Sequence, residues 1–150
     1  MDNNSSVREI LETTGKYTSF TSGHSMWPLI HNQKDNIIVL KPEGRLKKYD
    51  IALYEGSGRY ILHRVVEVHD DHYIIIGDNC TKKEYVTDDM ICGVLAGFYK
   101  NGKYYVDCKD GRAQKIYAKI WTSLYPVRPA ILFAENVYSK FKRILKGKSN

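Results

Sequence analysis

Apolar positions in this chain follow a strand-like pattern through most of its length and change to a helical spacing only near the end. Residues 7–14, VREILETT, suit a short helix, and Lys16 to Thr21 alternate toward a strand that leads into SGHSMWPLI. IIVLK at 37–41 reads as a buried strand, and Pro42, Glu43 and Gly44 punctuate the chain before IALY at 51–54. Gly56, Ser57 and Gly58 make a tight turn into RYILHRVVEV at 59–68, which turns at Asp70-Asp71 and returns as HYIIIG at 72–77. A further hairpin joins GVLAGFYK at 93–100 to KYYVDCK at 103–109 through Asn101-Gly102. From Gln114 the period lengthens, with Ile116, Tyr117, Ile120, Trp121 and Leu124 on one helical face; Pro126 and Pro129 interrupt it. The last segment, AILFAENVYSKFKRILK, is amphipathic again.

These elements predict a mainly β protein with a short N-terminal helix and one or two C-terminal amphipathic helices. The expected organisation is a lead-in over 1–15, a β-domain over 16–112 and a basic helical tail over 113–150. With 150 residues, 43% of them apolar, the chain can bury one sizeable core. Its 12 Tyr add to the strand bias.

Charge and cysteine content narrow the picture. The net charge is +6, and Lys140, Lys142, Arg143, Lys146 and Lys148 fall in the last eleven residues with no acid among them, so the rest is near neutral. Cys80, Cys92 and Cys108 are odd in number and form no C-x-x-C pair, which suggests reduced thiols rather than a disulfide framework or a zinc site. No metal or cofactor is implied. The N-terminus lacks a basic region followed by an apolar one, and no run of about 18 apolar residues occurs. The expectation is a cytoplasmic protein, with peripheral contact at the inner face of the membrane as a further option through the tail. For that tail, packing on the β-core ranks first, an anionic membrane surface second, and nucleic acid third, since no nucleic-acid-binding motif accompanies the charge.

Ser25 sits in a Gly-containing turn followed closely by Pro28, where the backbone bends and a hydroxyl can be exposed. A serine hydroxyl is a poor nucleophile without a base in reach. His24 and His31 share that turn region and His69 and His72 flank the Asp70-Asp71 turn, whereas His63 alone sits inside an apolar strand. An imidazole there has either a core hydrogen-bond partner or a chemical role.

Taken in order, three blocks resemble the signal peptidase I and LexA-like serine peptidase superfamily. GHSMWPLI at 23–30 is similar to its nucleophile block, YDIALY at 49–54 to its G-D-hydrophobic strand, and YILHRVVEV at 60–68 with YIIIGDN at 73–79 to the block of base and G-D-N turn. A histidine at the base position, His63, is the feature of the endoplasmic-reticulum, archaeal and sporulation-type branch. The resemblance implies a complex β-fold of coiled antiparallel sheets and a serine endopeptidase with Ser25 as nucleophile and His63 as general base. The oxyanion would sit on the Ser25 N–H and a neighbouring turn amide, with Gly23 permitting close approach. An acid that orients the imidazole is either Asp78 of the G-D-N turn or Glu84, six residues on, where the branch carries Asp; Asp78 equally fits a plain turn role. The expected partner is a peptide or precursor-protein substrate. Met26, Trp27 and Leu29 fit a core role better than a subsite, and no substrate-binding residue is assigned. The reading from a different class is a peptidase-like fold kept as a binding or regulatory module.

Overall fold

The tightest turns fall at residues that accept positive φ: Ser57 (52°) with Gly58 (72°), and Asn101 (50°) with Gly102 (68°). Two such residues in succession give the turn twist that matches flanking strands, and each pair closes a hairpin. The computed structural model describes residues 6–147; residues 1–5 of the lead-in and Lys148 of the basic tail lie outside it. Helix α1 (Val7–Thr14) precedes strands β1 (Lys16–Phe20), β2 (Asn36–Leu40), β3 (Ile51–Gly56), β4 (Arg59–Val68), β5 (His72–Ile76) and β6 (Glu84–Thr87). After a 3-10 turn at Asp88–Met90 come β7 (Ile91–Lys100), β8 (Tyr104–Asp107), α2 (Arg112–Ser123), a second 3-10 turn at Tyr125–Val127, and α3 (Arg128–Gly147).

The protein is therefore mainly antiparallel β, with a short N-terminal helix and C-terminal helices. One eight-stranded sheet runs in the order β1-β2-β7-β3-β4-β5-β6, with β8 paired to β7. β7 is the long central strand: Val94 lies between Leu40 and Ala52, and Gly97 between Ile38 and Asp107, so β3 and β8 share one edge of it. The short strand β6, EYVT, is absent from the hydrophobic pattern because one apolar residue flanked by polar ones gives no period; pairing with β5 makes it.

Continuous apolar runs mark strands covered on both faces. In β3, Ile51 and Leu53 join one core with Leu11, Ile37, Val39, Leu95 and Phe98, while Ala52 and Tyr54 join a second with Val65, Tyr73, Ile75 and Val86. Helix α1 begins at the Ser6 side chain, which accepts from the Glu9 N–H, and ends at Gly15 with φ 74°. Leu11 carries it onto the first core, and Arg8 donates to the carbonyls of Asp89, Met90 and Ile91.

The C-terminal segment differs from expectation in two ways. In α2 the buried positions are Gln114 and Ala118, with Tyr117 and Trp121 half-buried, whereas Ile116 and Ile120 are exposed. The buried face is thus rotated from the most apolar one, because tertiary contacts of Tyr117 and Trp121 set it. Pro129, expected to break a helix, stands at the second residue of α3, where its missing N–H forfeits no intrahelical bond. Packing of the tail on the β-core holds for α2 but not for most of α3, whose residues from Phe133 to Leu145 are exposed.

Phe98, 1% exposed in the first core, tests the central position of β7. Phe98→Ala is expected to lower the unfolding free energy by about 3–5 kcal/mol, read from urea denaturation.

Candidate active site

Ser25 lies in the turn-rich connection between β1 and β2, whose apolar residues hold it down. Met26, Leu29 and Ile30 are buried in the first core, and the Trp27–Pro28 peptide bond is cis. The ends of the connection are tied where Gln33 N–H donates to the Thr21 carbonyl. Fully buried Asp35 accepts from the amides of His31 and Asn101, anchoring the same loop to the β7–β8 turn. Gly23 takes φ 96°, and its N–H donates to Asn32 Oδ1 at 3.1 Å. The Ser25 N–H has no hydrogen-bond acceptor among the described residues.

His63 is delivered by β4 opposite Ala52, and Tyr54 lies two residues farther along β3 on the same face. The imidazole is 7% exposed, so its polar atoms require partners. Its Nδ1 stands 2.6 Å from Glu84 Oε2, and the Tyr54 hydroxyl donates to that same oxygen at 2.5 Å. An ionised carboxylate can only accept, so Nδ1 carries a proton, and in the neutral imidazole Nε2 holds the lone pair. Burial, and then Glu84, pushes the Tyr54 phenol far above its usual pKa, which keeps it a donor.

Gly77 explains how His63 comes near Ser25. A Cβ built on Gly77 would lie 2.7 Å from the Ser25 carbonyl oxygen, 2.8 Å from Cys80 Sγ and 2.9 Å from His63 Nε2. Only a residue without a side chain leaves that space open. The Asn79 N–H donates to the same Ser25 carbonyl at 2.7 Å, fastening the serine turn to the G-D-N turn. Among the described residues no hydrogen bond links the Ser25 hydroxyl to His63.

Asp78 turns away from the imidazole. Both its oxygens accept from Arg64, at 2.8 and 2.7 Å, and both residues are 1% exposed. Burial opposes the Arg64 charge, but the adjacent carboxylate outweighs it and the guanidinium pKa ends above its usual value. Tyr117 from α2 also donates to Asp78 Oδ2, and Trp121 Nε1 donates to the Asp78 carbonyl at 2.8 Å. Arg128, at the start of α3, donates to the carbonyls of Gly77 and Cys80. Of the two acids singled out in the sequence, Glu84 touches His63 and Asp78 holds the turn.

Of the other histidines, His24 lines the cavity beside Ser25, His31 sits 3.3 Å from Asp35, and His69 and His72 stack on each other beside the β4–β5 turn. Cys80, Cys92 and Cys108 are all free. Burial and then Glu84 raise the Cys80 thiol, which keeps it protonated beside His63. Among the described residues no group of His, Cys, Asp and Glu is arranged to hold a metal ion.

A cavity of about 510 Å³ opens over Ser25 and His63, lined also by Tyr17, Ser19, Met26 and Tyr60. Two free strand edges border it. Among the described residues β1 pairs only with β2, and β4 pairs with β5 only from Arg64 onward, leaving one edge of residues 59–63 without a partner strand there.

Sequence reasoning missed Tyr54 and the trio Tyr117, Trp121 and Arg128. A phenol in the apolar run IALY was the available signal for Tyr54, since a buried hydroxyl demands an acceptor. Nothing local marks the trio: Tyr117 and Trp121 meet Asp78 from 39 and 43 residues away, and Arg128 meets Gly77 and Cys80 from 51 and 48. No family model matches the chain, and no curated protein matches it.

The two acids should separate in denaturation experiments. Asp78→Ala strands a buried Arg64 cation and is expected to destabilise by about 3–5 kcal/mol. Glu84→Gln, at a side chain 33% exposed, is expected to stay within about 1.5 kcal/mol of wild type.

Proposed function

We propose that the protein is a serine endopeptidase in which Ser25 is the nucleophile, His63 the general base and Glu84 the acid that orients it. The observation that carries this reading is the contact of Glu84 with His63 Nδ1 at 2.6 Å, which in the neutral imidazole turns the Nε2 lone pair to the Gly77 gap beside Ser25. In the reaction, the Ser25 hydroxyl attacks a peptide carbonyl and passes its proton to His63 Nε2. The imidazolium formed is stabilised by Glu84 and then protonates the leaving amine. Water, deprotonated by the same nitrogen, cleaves the acyl-enzyme and frees Ser25.

The Ser25 N–H, without a protein acceptor, is available to the oxyanion. The Gly23 amide is taken by Asn32, so the contribution of Gly23 is the positive φ that shapes the turn. In substrate-free sites the bond between nucleophile and base commonly tightens only when substrate docks. The two free strand edges beside the cavity suit an extended peptide, whose backbone can pair with either. Cys80 is the rival nucleophile, and its raised thiol pKa argues against it.

The ordered blocks around Ser25, Asp50, His63 and the G-D-N turn support assignment to the Ser-His branch of the signal peptidase I and LexA-like superfamily. Three free cysteines favour a reducing compartment such as the cytoplasm.

Cleavage profiling of a mixed peptide library by mass spectrometry tests the assignment. Wild type should generate new termini that Ser25→Ala and His63→Ala reduce to background, a loss on the order of 10⁶-fold if the dyad acts as a unit. Glu84→Gln should fall by roughly 10²–10⁴-fold with the fold retained, and Cys80→Ala should keep activity. Cleavage by Ser25→Ala at the wild-type rate would end the proposal, and silence of the folded wild type would make a binding module the better reading.

A further inference from the structure

Helix α3 leaves a long apolar face with nothing on it. It spans 20 residues, about 30 Å, and packs chiefly against the 3-10 turn that precedes it. At 3.6 residues per turn, Phe133, Val137, Tyr138, Phe141, Ile144 and Leu145 fill one continuous arc of about 140°. All six are exposed, Phe133 at 71% and Phe141 at 60%. A soluble monomer rarely presents so many large apolar side chains along one line.

The charges around this face identify what covers it. Lys140 borders one margin of the arc and Lys142 the other, with Arg143 on the polar side and Glu135 the one acid of the helix. Cations at the margins of an apolar stripe can extend upward to anionic headgroups while the stripe enters the acyl boundary. A second copy of the helix lying parallel on the same face would instead set lysine against lysine along the seam. A spanning mode is not offered either, since no helix among the described residues is long and apolar enough to cross a membrane.

We infer that α3 is a peripheral membrane anchor that lies in the interface of an anionic bilayer, with Phe133, Val137, Phe141, Ile144 and Leu145 inserted and Lys140, Lys142 and Arg143 on the headgroups. The attachment is independent of the Ser25 chemistry. It brings the folded body to a membrane surface.

Vesicle flotation of the full chain tests this, using phosphatidylcholine vesicles with and without one quarter phosphatidylglycerol. Wild type should bind the anionic vesicles at least tenfold more strongly than the neutral ones, and binding should weaken as salt is raised. The triple variant Lys140→Gln, Lys142→Gln, Arg143→Gln should lose roughly fivefold per charge, about a hundredfold in all. The pair Val137→Asp and Phe141→Asp should abolish flotation, while Ser139→Asn on the polar face should leave it intact; circular dichroism checks that each variant is folded. Failure of folded wild type to float overturns the inference. So does sedimentation of a wild-type dimer that the Val137→Asp, Phe141→Asp pair dissociates without any vesicle binding, which would make the face a contact between copies.

Discussion

The buried ion pair between Arg64 and Asp78 is the contact on which the geometry of the site depends. Two charges have been taken out of water, and they remain tolerable only because the guanidinium and carboxylate meet through two parallel hydrogen bonds and Tyr117 takes up a further lone pair. Arg64 adjoins His63 on β4, and Asp78 adjoins Gly77, so the pair locks the strand that carries His63 to the turn that borders the imidazole. Asn79 then carries the same turn to the Ser25 carbonyl. Through three consecutive residues, one electrostatic clamp fixes the distance between two segments about forty positions apart.

Around that clamp the sheet is covered on both sides, and the two cores serve different ends. The first, built on Phe98, Val39 and Leu11, seats the serine turn by burying Met26, Leu29 and Ile30. The second, built on Tyr54, Tyr73 and Ile75, brings Tyr54 to the oxygen of Glu84 that also faces His63. The pairing of β5 with β6 delivers Glu84 opposite Ile75, so a strand too short to read in isolation positions the proposed orienting acid. The longer stem of a glutamate spans from that strand to the imidazole.

The C-terminal segment divides its labour. Tyr117, Trp121 and Arg128 clasp the G-D-N turn from outside, which makes the end of the β-domain and the first tail helix one structural unit. Beyond Leu132 the chain stops contributing to the core, and its apolar face is turned to solvent. Under the proposed function, such a helix would bring the site to substrates at a surface rather than in bulk solution.

Sequence alone determined the order of the strands other than β6 and of the helices, because alternation, Ser57-Gly58 and Asn101-Gly102 turns and the change of period near Gln114 are local signals. It also singled out Ser25, His63, Asp78 and Glu84, because a lone imidazole in an apolar strand and ordered blocks need no contact map. It left open which acid attends the imidazole, since both lie close in sequence to the same turn. Only the tertiary structure decided that, sending Asp78 to Arg64 and Glu84 to His63. The same holds for the buried face of α2, where the polar tips of Tyr117 and Trp121 bind the turn and override the more apolar Ile116 and Ile120. The physical reason is common to both: a buried polar atom must find its partner in space, and that partner lies far away along the chain.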